Sequence, residues 1–406
     1  MSTATGAPPP GQRLVSLDAL RGFDMFWILG GDSLAYALHR MGGDPVTKFF
    51  ADELDHAEWA GFHFYDLIFP TFVFIMGVST VYSLTSLLSR AGRPLAVLRI
   101  VQRGALLFAL GLVYNGGLTE AWPDVRIMGV LGRIALCYTF GALAFCFLRP
   151  RALAALTAVL LLGYWALMAL VPFPDVRPVA GAPMVITKEA GYTSTSQLRM
   201  DSTLTIRGTY IQGVNLANYL DQKYLPGRKY DGTYDPEGLL STLPAFATGL
   251  LGILAGIYLR GTGPTEGRKA AGLAIAGTAC VLVGFAWGLE FPVIKKIWTS
   301  SYVLVAGGFS LLLLSLFYWI VEVRRMNRWC LPFIWIGMNP ITLYMASALL
   351  GGFDGLATRL VGGSVRSFLD AHVAAGCGDL CIAATGIVLF LGLARFMFNR
   401  KLFLRV

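Results

Sequence analysis

The stretch HAEWAGFHFYDLIFP (56–70) carries two histidines and an aspartate at a spacing that suits proton transfer. In a helix, His56, Trp59, His63 and Asp66 fall at i, i+3, i+7 and i+10, on a single stripe. An imidazole titrates near neutrality, so it accepts and returns a proton, and a carboxylate on the same stripe can orient it. The competing reading is a structural histidine at the mouth of an apolar segment. Zinc held by His56, His63 and Asp66 is not expected, because the HExxH spacing is missing.

A second set of ionisable groups lies near the start of the chain. Asp18, Arg21, Met25 and Asp32 share one face of a helical register inside an otherwise apolar run. Each charge within a membrane span costs about 2.5–3.5 kcal/mol on insertion scales, so such groups usually face a polar cavity. Asp18 and Arg21 are placed for an i,i+3 ion pair. Asp32 has no sequence-local cation, and reads either as functional or as a residue in the outer interface after Gly30–Gly31.

Other polar groups recur in apolar surroundings. Arg103 opens one run as an anchor or an anion contact, and Arg133 sits inside GVLGRIALCY (129–138). KKIWTSSY (295–302) gathers Lys295, Lys296, Trp298, Ser300 and Ser301 at one helix entrance, as an anion site or as an N-cap with interfacial anchors. GMNPITLY (337–344) places Asn339 before a helix-breaking proline, with Tyr344 one turn on, either lining a cavity or repairing the break. Asn339, Ser300 and Ser301 are candidate donors to an oxyanion.

These groups must be positioned by membrane helices. The 406 residues are 55% hydrophobic and 14% charged, with a mean hydropathy of +0.61. This excludes a disordered chain and an ordinary soluble enzyme. The net charge of +9 reflects basic clusters between apolar runs, so no nucleic acid is expected. The expected fold is an all-α polytopic membrane protein with about ten to eleven spans. The runs cover 14–38, 62–88, 100–118, 127–148, 152–172, 240–260, 270–290, 300–322, 332–352 and 379–398. Arg90, Arg93, Arg99, Arg149, Arg151, Arg324, Arg325 and Arg328 fall in loops that the positive-inside rule assigns to the cytoplasm, with both termini. Residues 1–172 read as an N-terminal bundle, 173–239 as an extracytoplasmic cap with short strands near 185–187 and 203–206, and 240–406 as a C-terminal bundle. The six cysteines read as small buried hydrophobes.

Five blocks in order carry a resemblance over nearly the whole chain. RLVSLDALRGFDMF (13–26) resembles the first-helix signature of transmembrane acyltransferases. HAEWAG (56–61) with DLIFPTFVFIMGVS (66–79) is similar to the heparan-alpha-glucosaminide N-acetyltransferase family, including its prokaryotic relatives. DPEGLLSTLP (235–244), IWTSSYV (297–303) and GMNP (337–340) follow in the same order. The resemblance implies transfer of an acetyl group from cytoplasmic acetyl-CoA to an amino sugar across the membrane. The family's catalytic histidine falls on His56, as general base or acetyl carrier. Its first-helix asparagine falls on Asp32, a departure, since an ionised carboxylate cannot donate a hydrogen bond.

On this reading Asp66, Trp59, Asn339, Tyr344, Ser300, Ser301 and Trp298 contact the acceptor. Arg103, Arg133, Lys295, Lys296 and Arg21 attract acetyl-CoA, and no metal takes part. The expected partners are acetyl-CoA, a sugar acceptor and membrane lipids, with a homodimer as an option. The simplest home is a bacterial inner membrane. The alternative is a transporter of sugars or lipid-linked sugars without acyl-transfer chemistry.

Overall fold

The computed structural model describes residues 14–177, 199–200 and 202–403. In hydrocarbon each backbone N–H and C=O must be paired within its own segment, and the apolar runs accordingly fold as helices. The first run is α1 (Val15–Phe26), a π-turn (Trp27–Gly31) and α2 (Asp32–Gly42), with Gly30 at φ 130° breaking the helix before Asp32. A short helix α3 (Pro45–Glu53) follows, capped by Asp44, which accepts from Val46 N and Thr47 N. The second and third runs merge into α4 (Ile68–Tyr114), whose break at Gly92 (φ 74°) precedes Pro94.

The remaining long helices are α5 (Val130–Phe147), α6 (Pro150–Leu170), α8 (Thr242–Arg260), α9 (Glu266–Gly288) and α10 (Ser300–Tyr318). Then come α11 (Leu331–Gly337) and α12 (Pro340–Leu350), two short helices α13 (Phe353–Val361) and α14 (Ser364–His372), and α15 (Cys377–Asn399). Among the described residues, seven helices are long and apolar enough to span a membrane, or eight when α11 and α12, bent by 77°, count as one. The expected ten or so runs are all helical. The count falls because α4 absorbs two of them, and because the first is broken at Gly30 and carries Asp18, Arg21 and Asp24. The chain is an all-α, multi-pass membrane protein.

Helix α4 packs on α5 and α8, α9 on α10, and α1 on α11. Leu17 and Leu20 of α1 meet Phe74 and Val78 of α4 and Leu314 and Phe317 of α10 in one core cluster. Two of the crossings that depend on glycine position the site's helices. A Cβ at Gly22 would lie 1.7 Å from the Phe333 carbonyl oxygen, and one at Gly252 would lie 2.0 Å from that of Phe74. Small residues thus let α1 touch α11, and α8 touch α4, backbone to backbone.

The cap is small. β1 (Phe173–Pro174) pairs antiparallel with β2 (Thr205–Ile206), and the helix α7 (Leu216–Tyr224) follows. The expected strand at 185–187 lies outside the described residues. Phe173, Val176 and Leu216 pack on Tyr164 and Met168 of α6 and on Phe291, Ile294 and Ile297 before α10. The cap is therefore fixed to the ends of two spans.

Candidate active site

His56 sits on a loop, not on the helical stripe considered above. Residues 54–63 leave α3, and a 3-10 turn at Phe64–Leu67 leads into α4. The loop is fastened at both ends. Tyr36 Oη donates to Leu54 O (2.9 Å), and Phe64 N to the Glu53 carboxylate (2.9 Å). In the middle, Gly61 N donates to Val293 O (2.9 Å), and Ala60 bridges Ile294. That bridge carries Lys295 to His56, 239 residues away in sequence.

Asp66, 1% exposed, is the hub. Its Oδ2 accepts from Ala57 N (3.2 Å) and His63 N (3.1 Å). Its Oδ1 lies 2.9 Å from His56 Nδ1 and 3.3 Å from Lys295 Nζ. A carboxylate only accepts, so Nδ1 donates to Asp66, and in the neutral ring the lone pair lies on Nε2. The His56 side chain is 47% exposed, so Nε2 is reachable. Lys295 Nζ stands 3.0 Å from Nδ1 and 3.4 Å from Nε2. Burial pushes the Lys295 ammonium's pKa down against the pull of Asp66.

Two cavities meet at this level of the bundle. The cap-side cavity, about 350 Å³, is lined by His56, Tyr65, Tyr114, Lys295, Trp298 and Tyr344, among others. Arg126, Tyr230, Glu237 and Lys296 close its cap end. The tail-side cavity, about 410 Å³, holds Arg21, Arg103, Ser79, Thr80 and Ser83, and Phe403 reaches its wall. Phe72, Ile134, Pro340 and Ile341 line both cavities, forming a belt between them.

The residues singled out from sequence separate accordingly. His56, Lys295, Lys296, Trp298 and Tyr344 line the cap-side cavity, and Asp66 lies directly behind His56. Arg21 and Arg103 line the tail-side one. Arg21 pairs with Asp18 (3.2 Å) and donates to Ser79 Oγ (2.6 Å). Arg133 is fully buried, donates to Ser241 Oγ and Gly238 O, and lies 4.9 Å from the centre of the Trp298 ring. Asp32 reaches His56 through an intermediary: its Oδ2 accepts from Tyr65 Oη (3.3 Å), and the Tyr65 ring lies 4.9 Å from the imidazole.

Four others turn elsewhere. Trp59 Nε1 donates to Tyr210 O (2.8 Å), pinning the loop to the cap. Ser300 Oγ donates to Leu161 O (2.7 Å), and Ser301 Oγ to Phe291 O (2.5 Å). Asn339 is buried at the corner between α11 and α12. Thr299, not a serine, is the N-cap of α10. Trp298 adopts φ 52°, in the left-handed region. Such strain costs on the order of 1–3 kcal/mol and persists only where surroundings enforce it. Here the indole N–H donates to Thr248 (3.1 Å) and the side chain is 1% exposed.

Sequence reasoning missed the cap end. Arg126 holds Asp235 through two contacts of 2.8 Å and Glu237 at 2.6 Å. Burial opposes the charge on Arg126, but the two carboxylates outweigh it and raise its pKa. Lys296 pairs with Asp231 (3.1 Å). Only the acidic DPEG run hinted at this network; nothing local marked Arg126.

The family model described as heparan-alpha-glucosaminide N-acetyltransferase, catalytic, matches residues 13–190. The mouse (Mus musculus) protein named heparan-alpha-glucosaminide N-acetyltransferase is 31% identical over 334 residues, covering 73% of this chain and 49% of its own. Its namesake from Homo sapiens is 29% identical over 375 residues, covering 84% and 53%. The chain thus spans about half the length of the curated relatives it matches.

Proposed function

Because the chain belongs to the heparan-alpha-glucosaminide N-acetyltransferase family, we propose that it transfers an acetyl group from acetyl-CoA to the amine of an amino sugar, with His56 as general base. The observation that carries this reading is an imidazole, held at Nδ1 by Asp66, in a cavity that meets a second, arginine-bearing cavity across a four-residue belt.

In this reading the tail-side cavity faces the cytoplasm, in keeping with the basic loops on that side, and Arg21 and Arg103 attract the CoA phosphates. The pantetheine arm passes the belt and brings its thioester beside His56. The acceptor enters from the cap side, among Tyr230, Tyr344 and Glu237. His56 Nε2 takes a proton from the amine as nitrogen attacks the carbonyl carbon. Asp66 holds the Nδ1 proton and stabilises the imidazolium that forms. Asp32 acts at one remove, by fixing the Tyr65 hydroxyl and with it the ring against His56. Holding donor and acceptor together removes much of the entropic barrier, which favours direct transfer over an acetylated imidazole. A bacterial inner membrane with both termini inside is the setting that suits this arrangement.

Purified full-length protein, given acetyl-CoA and a panel of amino sugars, tests the reading by thiol release. His56→Ala is expected to lower turnover by roughly 10²–10⁴-fold. Undiminished acetylation in that variant rejects His56 as the base. Uptake of a sugar into proteoliposomes without thiol release supports transport instead.

A further inference from the structure

Attack on a thioester builds negative charge on the carbonyl oxygen, and donors aimed at that oxygen commonly supply the largest single catalytic contribution. The two serine hydroxyls at the entrance of α10 are committed elsewhere, Ser300 to Leu161 O and Ser301 to Phe291 O, and the Tyr65 hydroxyl donates to Asp32. Asn339 is absent from the described lining of both cavities. Lys295 is placed differently. Its ammonium lines the cap-side cavity within 3.4 Å of the imidazole Nε2.

We propose that the Lys295 ammonium is a catalytic group that holds the thioester oxyanion beside His56, and does not grip the phosphates of acetyl-CoA. This rests on the acetyl-transfer reading. The pantetheine arm separates the thioester from the phosphates, so a cation touching the base lies at the reactive end. The phosphates fall to Arg21 and Arg103, on the far side of the belt. An ammonium has three donors; Asp66 Oδ1, at 3.3 Å, takes one, and the 3.4 Å contact to His56 Nε2 is exchanged for the oxyanion as the imidazole takes the amine proton.

The placement is built into the backbone. The Val293–Ile294 pairing with Ala60–Gly61 ties the lysine's segment to the histidine's loop, and the left-handed Trp298 turns the chain back into α10. The two groups thus stand on backbone segments paired to each other, as an oxyanion donor and its base require.

The step balances. The amine lone pair forms the N–C bond, and the carbonyl π pair moves to oxygen, beside Lys295. His56 Nε2 takes the amine proton. The carbonyl then re-forms, the C–S bond breaks, and the departing CoA sulfur receives the proton from the imidazolium. No proton leaves Lys295, so it acts by charge and hydrogen bonding alone.

The test compares wild type, Lys295→Arg and Lys295→Met as full-length protein in detergent, measuring thiol release against acetyl-CoA with glucosamine as acceptor. Lys295→Met is expected to lower kcat by roughly 10²-fold, with KM for acetyl-CoA within about twofold, the pattern of an interaction made only in the transition state. Lys295→Arg, which keeps charge and donors, is expected to recover part of the lost kcat. Should Lys295→Met unfold, the arginine variant still decides: unchanged kcat with a raised KM for acetyl-CoA overturns the assignment, as does unchanged kinetics in a folded Lys295→Met. Wild type that releases no thiol with glucosamine or any other amino sugar overturns the acetyl-transfer reading itself, and this assignment with it.

Discussion

The cap-side cavity sets its charged side chains against one another, whereas the tail-side cavity holds one ion pair, Arg21 with Asp18, and a second arginine, Arg103, among hydroxyls. On the cap side, Lys295 meets Asp66, Lys296 meets Asp231, and Arg126 meets Asp235 and Glu237. Tyr65, Tyr114, Tyr230, Tyr344 and Trp298 also line that wall, among apolar side chains. Tyr114 and Tyr344 stack with ring centres 4.3 Å apart. On the tail side, Arg103 lies 4.7 Å from the Tyr138 ring centre, and its buried Nε has no hydrogen-bond partner among the described residues. One cavity is internally compensated, as a site of chemistry needs to be. The other keeps Arg103 without a carboxylate partner among the described residues, as suits an anion arriving from outside.

The belt is where the contrast can be broken most severely. Ile134 is 5% exposed and lines both cavities. Ile134→Trp should obstruct the passage while leaving Arg103 and His56 in place. Turnover is expected to fall by more than about 100-fold, since a misplaced thioester forfeits most of the proximity advantage. Acetyl-CoA binding by calorimetry should stay within about threefold of wild type, because the ionic contacts remain. Full turnover in this variant means the thioester reaches His56 by another route.

A milder pair of substitutions sharpens the division of labour. Arg103→Gln should raise KM for acetyl-CoA by roughly tenfold with kcat little changed, the mark of lost uniform binding. Tyr230→Ala removes an aromatic face at the cap end that is 58% exposed. It should raise the acceptor KM by roughly fivefold and spare that of acetyl-CoA. If both variants weaken the same substrate in initial-rate measurements, the two cavities do not divide donor from acceptor.

The sequence disclosed these regions unequally. The apolar runs and buried charges made the helices and the tail-side arginines legible, because span composition is a local property. His56 and Asp66 were found together for a reason the fold does not use. They meet because the loop 54–63 doubles back onto the first turn before α4, not along a helical stripe. The pair would be equally visible at other spacings. Lys295 against His56, and Arg126 against Asp235, join residues 239 and 109 positions apart, and no periodicity reports such contacts. Ser300 and Ser301 show the opposite limit. Their residue types suit an oxyanion donor, but only coordinates reveal that backbone carbonyls already take both hydroxyls.

The smallest expected effect concerns the cap, which holds the wall of the charged cavity. Asp221 on α7 accepts from Leu239 N (2.7 Å), just before the turn that Arg133 supports from below. Burial pushes its carboxyl up to about 7, opposed by the Leu239 hydrogen bond and by Arg133. The folded state therefore binds a proton that the unfolded chain gives up near its ordinary value of 3.8. Stability from this group is complete below that value and is lost as pH rises towards 7. Asp221→Asn keeps an oxygen for Leu239 and never ionises. Thermal melts of the detergent-solubilised protein should show a shallower loss of stability between pH 4 and 7 in the variant than in wild type, and a higher midpoint above pH 7, by about 1–3 °C. Parallel pH profiles for the two proteins would mean that the cap tolerates the charge. The support of the cap-side wall would then lie with Arg133 and the Arg126 network.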